Sequence, residues 1–169
     1  HRLLVAMEEQ LDLPVRRMDF PYRKEGRRAP DRAPKLIDAV LAEVELMAKE
    51  MRVDADRIAF AGRSMGGRIC SMAIAEGLAA SGLVLLSYPL HPTGKPEKLR
   101  VDHFPELAVP TLFVNGDRYP FGTPDELEQW TSTISAPVEH IWLDGARHDL
   151  KGRDAIIADA VAEFVQRIT

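Results

Sequence analysis

The residues of this chain whose types and spacing could do chemistry centre on Gly62-Arg63-Ser64-Met65-Gly66. This is a G-x-S-x-G pattern. Before it lies the short apolar run of Ile58, Phe60 and Ala61, and beyond Gly67 the helix-compatible stretch from Ile69 to Leu78 begins. A serine at such a junction is a nucleophile elbow: strain between strand and helix projects the hydroxyl off the end of a sheet, and small neighbours make room for the turn. The following helix presents unpaired N–H groups and a positive dipole end to a developing oxyanion. Read without chemistry, the same residues are a glycine turn before a helix. The second candidate is His148, in the run Asp144-Gly145-Ala146-Arg147-His148-Asp149. It falls in a loop between the last strand and the last helix, from which a general base can reach a serine, and its plain reading is a surface loop histidine.

Other reactive side chains carry less. Cys70 follows Ser64 by six positions on an apolar helix and reads as a small core residue. His91 and His103, in a long loop, either touch a substrate or face solvent, and His1 and His140 support no role. The chain has no C-x-x-C, H-E-x-x-H or phosphate loop, so neither metal hydrolysis nor nucleotide chemistry is indicated, and no cofactor is expected.

The elements that must position these residues follow from periodicity. Leu3, Leu4, Met7 and Leu11 predict an amphipathic helix over 2–11, and Val15 to Phe20 a strand. Residues 23–34, rich in Arg and Pro, read as loop. Leu36, Val40, Val44, Met47 and Met51 form one helical stripe. After the elbow, Gly82–Ser87, Thr111–Asn115 and Val138–Leu143 are short apolar runs of the kind that parallel sheets bury on both faces. Thr123, Pro124 and Glu126 mark a helix start with a capping box, and Ile157, Val161, Phe164 and Ile168 line a final helix. Tyr88 to Pro110 is left as a long loop, either a connector or a wall over the site. Alternating strands and helices predict an α/β fold, a mostly parallel sheet with helices on both faces.

Composition bounds the reading. The 169 residues suit one domain, and a net charge of −4 offers no basic patch for nucleic acid or an anionic membrane. One cysteine excludes an intramolecular disulfide, which fits a cytoplasmic location. No apolar run approaches membrane-spanning length and no signal peptide is visible. The chain lacks an initiator Met and opens on a helical pattern, which leads us to expect a single domain over 1–169 whose N-terminal strands are missing.

Several stretches together, FPYRKEGRRAPDRAPKL, AGRSMGGR, SYPLHPTGKPEKLRVDHFPEL, PTLFVNGDRYPFGTPDEL and DGARHDL, resemble the small dienelactone-hydrolase-like α/β-hydrolase family. That family includes the testis-expressed 30 type proteins and a subunit of the nonspecific-lethal chromatin complex. The resemblance spans nearly the whole chain. It implies Ser64 as nucleophile, the Met65 amide as an oxyanion donor and His148 as base. Two departures stand out. The family's acid loop resembles G-x-x-D-P-F-G, whereas this chain has Gly116-Asp117-Arg118-Tyr119-Pro120-Phe121-Gly122, with Tyr119 at the acid position. Asp117, two residues earlier, is the candidate acid if the loop rearranges, with Asp144 and Asp149 as alternatives. The second departure is the family's HGAG-like oxyanion loop, which the sequence does not contain. The expectation is a serine hydrolase for a small ester or related acyl substrate, with no nucleic acid and no membrane as partner and room for a protein partner. The rival is a binding or scaffold domain that has lost a complete triad.

Overall fold

The computed structural model describes residues 2–118 and 120–169. Four strands form one parallel sheet in the order β1-β2-β3-β4: β1 (Ala59–Arg63), β2 (Gly82–Leu86), β3 (Thr111–Gly116) and β4 (Val138–Leu143). Side chains alternate across a strand, and that alternation splits the core in two. Leu83, Leu85 and Phe113 face a layer built by α3 (Ala33–Met51) and α4 (Met65–Ala75), with Val40, Ile69 and Ala73 among its contacts. Val84, Leu86, Leu112 and Val114 face the opposite layer, where α1 (Arg2–Gln10) contributes Leu3 and Met7, and α6 (Asp154–Ile168) contributes Ile157, Val161 and Phe164. Each large apolar side chain so buried contributes about 1.5–3 kcal/mol, which is why β2 is apolar throughout and β3 is apolar from Leu112 to Val114.

Two further helices complete the chain. The short α2 (Pro21–Lys24) lies where the sequence reading ran from strand into loop, with Pro21 in its first turn. The helix α5 (Pro124–Thr131) begins as expected: the Thr123 hydroxyl accepts from the Glu126 amide, and the Glu126 carboxylate accepts from the Thr123 amide at 2.7 Å. Single 3₁₀ turns at Ala55–Arg57 and Phe104–Glu106 lead into β1 and pack against α4.

One expected strand is absent. Val15 to Phe20 runs without helix or strand pairing, because a strand exists only by its neighbour and none of the four strands pairs with this segment. The apolar alternation that suggested a strand serves packing instead, with Met18 and Phe20 against the α3–α4 core.

The long segment from Tyr88 to Pro110 is a packed wall. Tyr88, Leu90, Val101, Phe104 and Leu107 are buried in it, and the Tyr88 hydroxyl donates to the Arg100 carbonyl at 2.5 Å. Its first residues are tied to the ends of the strands, since the Tyr88 amide donates to Asn115 Oδ1 at 2.9 Å.

Candidate active site at the carboxyl ends of the strands

Because all four strands run in one direction, the residues that follow each of them meet at one end of the sheet. Ser64 follows β1, Ser87 follows β2, Asp117 follows β3, and 144–149 follow β4. Ser64 has φ 51° and ψ −121°, a conformation L residues rarely adopt, and one that costs roughly 1–3 kcal/mol unless the surroundings enforce it. The enforcement is visible. The Ser64 amide extends the β1–β2 ladder to the Leu86 carbonyl at 2.8 Å, while its own carbonyl already accepts the Arg68 amide of α4 at 3.1 Å. The residue belongs to strand and helix at once.

Two glycines permit this, and they are not the pair that the five-residue pattern names. A Cβ on Gly62 would lie 2.4 Å from the Gly67 nitrogen, and one on Gly67 would lie 2.6 Å from the Gly62 carbonyl. A Cβ on Gly66 meets only a Phe20 ring carbon at 4.0 Å. The crowding at the elbow is between Gly62 and Gly67.

Since α4 starts at Met65, its first amides have no acceptor within the helix and lie beside the serine. The Ser64 hydroxyl makes no hydrogen bond among the described residues. His148 is half-buried, and its ring packs on Phe121 with centroids 4.8 Å apart. Two side chains from the neighbouring strand ends hold its backbone: the Arg63 guanidinium donates to the His148 carbonyl at 2.8 Å, and the Ser87 hydroxyl donates to it at 3.0 Å. Burial, then the Arg63 charge, hold the imidazole below its ordinary pKa, with Asp149 opposing. The ring therefore favours its neutral form, the form a general base needs.

The loop carrying His148 folds back over the end of β3, where the Arg118 amide donates to the Ala146 carbonyl at 3.2 Å. That approach demands Gly116, whose Cβ would stand 2.1 Å from the same carbonyl. The carboxylates of Asp117, Asp144 and Asp149 are exposed, and no hydrogen bond joins any of them to His148 among the described residues. Tyr119, at the expected acid position, lies outside the described residues, as does His1.

The two loop histidines depart from the solvent-facing reading. His91 is buried, with Nδ1 2.9 Å from the Pro92 carbonyl and Nε2 3.9 Å from the Glu126 carboxylate. His103 is half-buried, with Nε2 2.7 Å from Ser71 Oγ. This second serine–histidine pair is built for structure. Ser71 is wholly buried and gives its proton to the Arg68 carbonyl at 2.8 Å, so His103 is the donor in the pair and abstracts nothing. Cys70 is buried as expected, and burial pushes its thiol up to about 12, far from a reactive thiolate. His140 stacks between Phe113 and Trp142, with centroids 5.2 and 5.5 Å away. Among the described residues no group of three or more His, Cys, Asp or Glu is placed to hold a metal, and no helix is long and apolar enough to cross a membrane.

Sequence reasoning singled out Ser64 and His148, which the fold brings to one end of the sheet, but passed over Arg63 and Ser87. Arg63 was the unspecified residue of a motif, and Ser87 was the end of a strand; only the fold brings either to a residue more than sixty positions away.

Comparison with known proteins places the fold. A family model described as an alpha/beta hydrolase domain matches residues 1–166. Among solved structures, Est1E from Butyrivibrio proteoclasticus, determined with ferulic acid bound, superposes with a TM-score of 0.73 at 16% identity, over 99% of this chain and 83% of that one. An alpha-beta serine hydrolase homologue from Coxiella burnetii gives 0.66 at 20% identity over 82% of this chain. An esterase domain from a Rhodothermus marinus protein gives 0.63 at 13%, over 78% and 68% of the two chains. The chain spans 62% of the Coxiella protein's length.

Proposed function

The chain belongs to the alpha/beta hydrolase domain family, and we propose that within it the chain is a serine hydrolase acting on a small ester or related acyl substrate. The observation that carries this is the backbone of Ser64, held at φ 51° between β1 and α4 at the sheet end where His148 is also held. Strain of that kind persists where it presents a nucleophile. In the proposed reaction Ser64 Oγ attacks the acyl carbon as His148 takes its proton. The Met65 amide, at the start of α4, donates to the oxyanion, and the collapsing tetrahedral intermediate expels the alcohol, which leaves with the proton from His148. Water, deprotonated by the same imidazole, then releases the acid and restores Ser64. Nucleophile–base hydrogen bonds are often open in the absence of substrate and tighten with it, which accommodates a Ser64 hydroxyl that makes no hydrogen bond among the described residues.

Asp117 is our proposed acid. Its carboxylate points to no bond with His148 here, so it would act only after the 117–122 loop has moved. The resemblance to the dienelactone-hydrolase-like group, and a cytoplasmic location, belong to the same proposal.

The second reading is a binding domain without turnover, and the exposure of all three candidate acids, Asp117, Asp144 and Asp149, favours it. Labelling by a fluorophosphonate probe and hydrolysis of p-nitrophenyl acetate decide between them. We expect the probe to label the wild type at Ser64, and Ser64→Ala or His148→Ala to lose turnover by at least about 10³-fold, with Asp117→Asn lowering it by a smaller factor. A wild-type protein that neither labels nor turns over faster than Ser64→Ala leaves the binding domain as the answer.

A further inference from the structure

We propose that Arg63, with Ser87, is a positioning residue for the general base: the two side chains fix the His148 backbone relative to Ser64, and the Arg63 guanidinium sets its charge beside that loop. This rests on the serine-hydrolase reading above. In a serine triad two tasks usually fall to the acid, orienting the imidazole and stabilising it once protonated. Here the backbone of the histidine is itself held from the strand ends, by Arg63 and Ser87.

Arg63 is the last residue of β1 and the immediate neighbour of the nucleophile, so any movement of the strand end carries both together. Its guanidinium reaches the His148 carbonyl at 2.8 Å, across 85 residues of sequence, and the Ser87 hydroxyl reaches the same oxygen at 3.0 Å from the end of β2. Two donors from adjacent strands, converging on one carbonyl, locate it in two directions. Ser87 is itself held in the left-handed region at φ 52°, wholly buried, with its amide donating to the Val114 carbonyl at 2.9 Å. Phe121 closes the third side against the ring.

The arrangement carries a cost that packing alone does not explain. Arg63 Nε is buried without a hydrogen-bond partner, and no carboxylate pairs with the guanidinium among the described residues. A cation held beside an imidazole disfavours the imidazolium. Of the elements packed around His148, β1 supplies Arg63 and the histidine's own loop supplies Asp149, whereas Ser87 and Phe121 bring no charge. Arg63 therefore acts on the base in two separable ways, by its reach and by its charge.

The test uses three variants with p-nitrophenyl acetate, together with NMR titration of the His148 ring. Arg63→Gln removes the charge, so the ring titrates at higher pH and the acid limb of kcat/KM moves up with it, while kcat falls about 10- to 100-fold. Arg63→Lys keeps the charge and leaves the limb where it was, with a smaller loss in kcat. Ser87→Ala lowers kcat without moving the limb. A merely structural clamp would lower the melting temperature and leave the ring titration unmoved, and that result overturns the proposal. So does wild-type kcat in both Arg63→Gln and Ser87→Ala. If Ser64→Ala and His148→Ala turn over as well as the wild type, the hydrolase reading itself has failed, which the ring titration distinguishes by still reporting the Arg63 effect.

Discussion

His103 is a histidine discharged by its surroundings. Burial, then the nearby Arg68 charge, lower its pKa to about 4, while its Nε2 donates to Ser71 and its ring packs edge-on to Phe104 with centroids 5.2 Å apart. Once the chain unfolds, the same imidazole returns to its ordinary value near 6.5 and binds a proton that the folded state refuses. The unfolded state thus holds more protons between those values, so stability falls as pH drops from about 6.5 to about 4 and levels off below. His140 and His148, also lowered chiefly by burial, act in the same direction. We expect the melting temperature to decline through that window, and His103→Gln, which keeps a side-chain N–H to meet Ser71, to flatten the decline. An equally steep decline in the variant would assign the acid sensitivity to other groups. At this scale the sequence revealed residues whose chemistry is in their type, such as Ser64, and concealed those whose role is in their placement. Nothing in the letters around Arg63 or Ser87 says that the His148 carbonyl lies within their reach.

For the elements, legibility depended on whether a signal was local. The Thr123–Glu126 capping box involves four consecutive residues, and it was readable because both partners lie within one turn. Strands β2 and β3 were readable because burial on both faces leaves a mainly apolar run, whereas β4, expected to be buried in the same way, is an edge strand with Glu139 exposed and only Leu143 buried. The segment 15–20 misled because pairing is not a local property. The elbow is an intermediate case: its pattern was evident, but which glycine bears the crowding is decided by how α4 packs back against β1. A methyl group at Gly67 would meet the Gly62 carbonyl at 2.6 Å and a Leu85 methyl at 3.0 Å, with backbone on one side unable to yield. Gly67→Ala should therefore cost about 1–3 kcal/mol or more and displace Ser64, losing both probe labelling and several degrees of melting temperature. Gly66→Ala, in a helix with open space, should be neutral or stabilise by up to about 1 kcal/mol. Equal losses in the two variants would show that the motif glycine, and not the packing glycine, carries the constraint.

Across the whole molecule the sheet is uneven in its two halves. The strands β2 and β3 are buried along their full length, whereas β1, paired only with β2, has Ala59 half-buried and Ala61 exposed. Alongside that open edge runs an apolar slot of about 370 Å³, lined by Leu4, Met7, Val15, Met18, Met47 and Phe60 among others. An unpaired strand edge beside apolar side chains is a template for another extended segment, and folded proteins usually guard such edges with charge, proline or a covering element. None of the five residues of β1 is a proline, and the charge it has, Arg63, is turned to His148. Residues 1–169 expressed alone should therefore bind a hydrophobic dye at this slot and self-associate as concentration rises, the extreme case being an aggregated or unfolded product. Ala61→Lys, which sets a charge on the exposed edge, should shift the sedimentation profile toward monomer while leaving the Ser64 elbow intact. A wild-type chain that sediments as a monomer, binds no dye and melts cooperatively would show that α1, α3 and the 14–18 segment close the edge well enough by themselves. Association persisting unchanged in Ala61→Lys would place the sticky surface elsewhere on the molecule.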